Sequence, residues 1–96
     1  MLILEVTAEE MRRMLRIRHN RIDEDLNDLK AAYLSELSLA GVECIPEDNS
    51  LARNGLRLYL RWQENYNGEA ERYREAYQGV KIAMALAEEY KGGAET

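Results

Sequence analysis

A single cysteine, a single histidine, a single proline and no phenylalanine stand in a chain of 96 residues. Each scarcity removes a class of protein. Cys44 alone can close no internal disulfide, so the chain is expected to be cytoplasmic or indifferent to redox state. With His19 as the lone histidine, and with no CxxC or HxxxH spacing, the donor sets of zinc sites are missing. The acidic run Asp23, Glu24, Asp25 and Asp28 lacks the central glycine and distal glutamate of a calcium loop and reads as the first turns of a helix. Cys44 and His19 fall in different loops, which leaves no nucleophile with a base and an orienting group. Asn67-Gly68 and Gly92-Gly93 are isolated pairs without the spacing of a phosphate-binding loop. We therefore expect no enzymatic activity, no cofactor and no metal.

Long hydrophobic runs are also missing. Glu5 interrupts the opening Met-Leu-Ile-Leu-Glu-Val, which has no basic region before it, and no window approaches the roughly 18 apolar residues of a membrane span. Neither secretion nor membrane insertion is expected. What is present, 46% apolar and 32% charged residues, suits one soluble globular domain over residues 1–96. A domain this small buries roughly 60 to 70% of the surface its unfolded chain exposes, so oligomerisation would add useful stability. Its net charge of −5 has the wrong sign for gripping phosphate backbones.

Abundant Ala, Leu, Arg and Glu favour helix throughout, and the periodicity predicts an all-α, single-domain bundle of about four helices. Thr7 and Glu10 form a capping-box pair ahead of Met11, Met14 and Leu15, in a first helix ending near Ile17. Asn20 is positioned to cap a second helix, whose stripe is Ile22, Leu26, Leu29, Tyr33, Leu37 and Ala40; Gly41 follows as a residue able to take positive φ. After the irregular segment Val42 to Asn49, which contains Pro46, Asn49 or Ser50 caps a third helix with Ala52, Leu56, Tyr59, Leu60, Trp62 and Tyr66 on its apolar face. Gly55 inside that helix costs about 1 kcal/mol relative to alanine and predicts close approach of another helix. A turn at Asn67-Gly68 leads to a last helix from about Glu69 to Tyr90, then a fraying tail from Gly92 to Thr96. The expected core is Leu15, Ile22, Leu26, Leu29, Tyr33, Leu56, Tyr59, Leu60, Tyr73, Tyr77 and Val80.

Charge is distributed in blocks. Five arginines lie between Arg12 and Arg21, eight acidic residues face one lysine from Ile22 to Asp48, and seven charges of each sign follow. Solvated helix faces explain such blocks at least as simply as contacts do. The sharper expectation is a head-to-tail contact between identical subunits, with Arg12, Arg13 and Arg16 of one meeting Asp23, Glu24, Asp25 and Asp28 of the next. Arg53, Arg57 and Arg61 form an i, i+4, i+8 stripe that is a second candidate surface, for a partner or for the wall of a channel.

The opening Val6 to Ile17, with its Met14-Leu15-Arg16-Ile17 segment, the polar hinge, and the acidic restart Ile22-Asp23-Glu24-Asp25-Leu26 resemble the small head-tail connector proteins of tailed bacteriophages. Leu56 to Trp62, the polar turn Asn65 to Gly68, Ala70 to Tyr77 and Val80 to Leu86 are similar to the closing two helices of that family. The resemblance covers about Val6 to Tyr90 and departs from the family in the short Val42 to Asn49 connection and the brief tail after Tyr90. It implies a virion protein at the head-tail junction, made in the bacterial cytoplasm. There it would assemble as a homo-oligomeric ring of about a dozen copies, docked between the portal and a tail or head-completion protein. Duplex DNA would pass through without tight binding, and some members carry the label of DNA-packaging protein. The alternatives are a generic helical interaction module and a packaging factor that binds DNA.

Overall fold

The computed structural model describes residues 2–92, and among them the regular structure is entirely helical. Four α-helices follow in chain order: α1 (Ala8–Leu15), α2 (Asp23–Ala40), α3 (Ser50–Gln63) and α4 (Ala70–Leu86). The all-α bundle expected from periodicity is present. α3 and α4 form the most extensive pairing; α2 packs against both, and α1 packs against α3 and α2. Tyr33, Tyr59, Trp62 and Tyr77 bring α2, α3 and α4 together in one aromatic cluster, with ring centroids 5.2 to 6.0 Å apart.

Local chemistry accounts for most of the boundaries. The Thr7 hydroxyl accepts from the Glu10 N–H at 3.1 Å, and the Glu10 carboxylate accepts from the Thr7 N–H at 3.1 Å, completing the anticipated capping box. α1 stops two residues before Ile17, because Arg16 adopts φ 58° and the Ile17 N–H turns back onto the Arg12 carbonyl at 2.8 Å. Gly41 closes α2 with φ 106°, as its position predicted.

Other starts differ. Asn20 does not cap α2, which begins at Asp23 behind Ile22 without a side-chain cap; the carboxylates of Asp23, Glu24 and Asp25 at the positive end of the dipole serve instead. At α3 the Asn49 side chain likewise makes no capping bond, and Asp48 accepts from the Ser50 N–H at 3.2 Å and from its hydroxyl. Tyr66 lies beyond α3 in a short turn, Tyr66–Gly68, flanked and shaped by positive φ at Asn65, Asn67 and Gly68.

Three features of the core escape helical periodicity. Leu2, Leu4 and Val6 are buried while Ile3 and Glu5 are exposed, the alternation of an extended segment laid along the bundle. Lys30 of α2 fastens that segment by donating to the carbonyls of Leu4 and Val6 at 3.4 and 3.0 Å. α4 does not run to Tyr90: it ends at Leu86, and after Ala87 in extended conformation the chain turns back through Glu88–Tyr90. Tyr90 is thereby buried to 2% exposure, and its carbonyl accepts from the N–H groups of Glu43 and Cys44 at 2.8 and 3.2 Å. Finally, what approaches Gly55 is the Tyr33 side chain of α2 together with Met84 of α4. Tyr33 donates to the Ala52 carbonyl at 2.7 Å through space that a side chain at position 55 would fill. Ile22, Leu29 and Val80 are half-buried flanks of the core, and Ala40 is exposed. The fraying expected after Gly92 lies outside the described residues.

Candidate functional site

The arginines of α1 and α3 converge. A cleft of about 350 Å³ between the two helices is lined by Arg13, Arg16, Arg53, Arg57 and Arg61, with Glu10 as its one acidic wall. It adjoins a second hollow of about 420 Å³ reached past Met14, Asn54 and Ser50. Sequence reasoning placed these arginines on two separate surfaces; the packing of α1 against α3 makes them one.

Not all five guanidinium groups are available. Arg53 is paired with Glu10, and Arg13 with Glu9 at 2.9 Å. The Arg53 contact, together with the Thr7 backbone bond, holds the Glu10 carboxyl down to about 2 from its ordinary 4.5. Arg61 donates to the Met14 carbonyl at 3.0 Å and lies 4.5 Å over the Tyr66 ring, so it staples α3 to the end of α1. Arg57 donates only to the amide oxygen of Asn54, and Arg16 has no side-chain partner among the described residues. Within the cleft the uncommitted positive charge is therefore that of Arg16 and Arg57.

Arg12 points elsewhere. Its Nε lies 2.9 Å from Asp23, across the hinge between α1 and α2, and both side chains are about three-quarters covered. The sequence had assigned these two residues to opposite sides of an intermolecular contact; in the structure they meet within one chain. Glu24, Asp25 and Asp28 remain exposed on α2 and make no ion pair among the described residues. The basic cleft is bounded by α3 on one side of α1, whereas the acidic face begins on α2, on the side that Arg12 reaches.

Other reactive side chains stand apart. Cys44 Sγ donates to the Glu89 carbonyl at 3.3 Å, and His19 Nδ1 accepts from the Arg21 N–H at 3.3 Å, so each has its own local partner. Among the described residues no group of three or more His, Cys, Asp or Glu side chains is placed to hold a metal ion, and no helix is long and apolar enough to cross a membrane. Between α2 and α4, Tyr77 donates to the half-buried Glu36 at 2.8 Å, with Lys81 3.5 Å from the same carboxylate. Such an arrangement orients α4 against α2. No family model, curated protein or solved structure matches this chain.

Proposed function

We propose that this chain is a structural assembly protein of a phage or prophage, forming a ring between the portal and the tail or next head-completion protein with the DNA channel running through it. One observation carries the reading. A single small subunit displays a cleft in which Arg16 and Arg57 have no carboxylate partner, and, on α2, an exposed acidic face whose Glu24, Asp25 and Asp28 have no ion pair among the described residues. Two different complementary patches are what heterologous contacts require, and such contacts close into rings when the rotation between subunits allows. The stretches that resemble the connector family support it as well, since each coincides with an element or a turn: α1, the start of α2, α3, the Tyr66–Gly68 turn and α4. Net acidity suits a subunit past which duplex DNA must slide, because phosphate is repelled overall.

Electron microscopy of the purified full chain, alone and mixed with a portal, tests this. The expected particle is a closed ring of about a dozen copies with a central opening, stacked on the portal in the mixture. A two-fold dimer, or a monomer at every concentration that leaves the portal bare, would refute it. Submicromolar, salt-sensitive binding of the lone subunit to duplex DNA would instead favour a packaging factor.

A further inference from the structure

We infer that the Arg16–Arg57 corner of the α1–α3 cleft receives the carboxylates of Glu24, Asp25 and Asp28 from a second copy of this chain. The inference rests on the assembly reading above and names the contact it would use. Its first support is which charges are already spent. Arg12, Arg13 and Arg53 each hold a carboxylate of their own subunit, and Arg61 is taken up by Met14 and Tyr66. Arg16 and Arg57 alone among the six hold neither a carboxylate nor a backbone carbonyl among the described residues, and Arg57 donates only to the neutral Asn54 amide.

The acidic side has the same character. Glu24 and Asp28 are four residues apart and Asp25 and Asp28 three, so the three carboxylates share one exposed helical face and repel one another. The helix dipole explains acidic residues in the first turn, but its effect falls off beyond that turn, which leaves Asp28 without a local role. Ala31, Ala32 and Ser35 continue this exposed face with short side chains, so a neighbouring subunit can approach it closely.

Within one subunit the two surfaces are not joined: no ion pair links Arg16 or Arg57 to Glu24, Asp25 or Asp28 among the described residues, and α1 sends Arg12 to α2 while its Glu10 and Met14 meet α3. The occupant is a carboxylate face and not nucleic acid. Two uncommitted arginines would give a duplex only a salt slope of about −1.8, small beside that of proteins that hold DNA firmly. Planar guanidinium groups match carboxylates in bidentate geometry, which sets the register of the contact.

Sedimentation velocity on the full chain and two double variants tests the contact. Arg16→Gln with Arg57→Gln removes the basic corner; Glu24→Gln with Asp28→Asn removes the acidic face. The unaltered protein is expected to form species larger than a dimer that dissociate as salt rises. Each variant alone should be monomeric with unchanged helicity by circular dichroism. Their equimolar mixture should give a dimer and nothing larger, because each partner then offers one competent face. Charge-reversed variants, Arg16→Glu with Arg57→Glu and Glu24→Lys with Asp28→Lys, should likewise be monomeric alone but assemble beyond a dimer when mixed, because the reversed cleft and the reversed face then attract each other as well. Variants that still assemble like the unaltered protein overturn this contact and leave the ring reading standing. Open, salt-sensitive chains that never close, with the mixture still dimeric, support the contact and refute the ring. A mixture that stays monomeric overturns the contact, as does salt-dependent duplex binding that the Arg16 and Arg57 variants abolish.

Discussion

At residue 55 two opposing effects can be ranked. Alanine in place of glycine favours a helix by about 1 kcal/mol, but here the added methyl overlaps the Tyr33 hydroxyl and sits 3.2 Å from Met84 Cε. Overpacking a tight core costs about 1 to 3 kcal/mol, and displacing Tyr33 also takes its buried hydroxyl away from the Ala52 carbonyl that it bonds. Gly55→Ala is therefore expected to lower the urea midpoint, and an equal or higher midpoint would show that Tyr33 moves aside freely. Glu10 makes a pH-dependent contribution. Its folded carboxyl titrates near 2 against an ordinary 4.5, so the stability it confers is present above about 4.5 and lost as the pH falls toward 2. Glu10→Gln keeps an acceptor for the capping box but loses the charge facing Arg53. The gap in urea midpoint between parent and variant should be open at neutral pH and close on acidification; a gap independent of pH would assign the effect to capping alone.

Among the elements, α2 shows how burial divides residues of one stripe. Leu26 is fully buried, whereas Leu29, one helical turn along, is only half-buried against the core. Leu26→Ala is expected to cost about 2 to 5 kcal/mol and Leu29→Ala clearly less, since part of its surface stays in water in the folded state. Chemical denaturation of the pair decides this, and equal losses would mean that the helix is rotated toward Leu29. The segment after α4 is an element in its own right. Tyr90 enters the core only because the chain leaves helical geometry at Ala87, whose ψ of 134° directs Glu88–Tyr90 back toward Glu43 and Cys44.

Across the whole molecule, the tyrosines make the fold sensitive to alkali. Burial pushes the hydroxyls of Tyr33, Tyr59, Tyr77 and Tyr90 up from their ordinary 10.0, and the Glu36 carboxylate adds to the effect at Tyr77. Raised acids of this kind keep their protons in the folded state after the unfolded chain has lost them. Stability is therefore intact below pH 10 and declines as the pH rises above it. Tyrosinate absorbance and far-ultraviolet dichroism followed together should change in one transition for Tyr33 and Tyr77. Ionisation of all six tyrosines ahead of any loss of helix would contradict their burial.

Helix existence, the Thr7 capping box, the Gly41 stop and the turn after Asn65 follow from short-range chemistry, because each depends on side chains within a few positions of the backbone they act on. The all-α class was legible for that reason, as was most of the apolar stripe of α2. The N-terminal strap was legible in principle, since Leu2, Leu4 and Val6 alternate with exposed neighbours, but three apolar positions make a weak signal until a bundle exists to lie against. The return of Tyr90 and the use of Gly55 by Tyr33 depend on partners 19 to 47 positions away in the chain. The candidate site belongs with these. Arg16 and Arg57 are 41 positions apart, and only the packing of α1 on α3 joins them in one cleft, spends Arg53 on Glu10, and turns Arg12 toward its own Asp23. Local sequence determined where helices start and stop, because backbone hydrogen bonds and caps are satisfied within a turn. Tertiary structure alone decided which charges are neutralised inside the subunit and which remain for another molecule, because Coulombic pairing depends on distance through space.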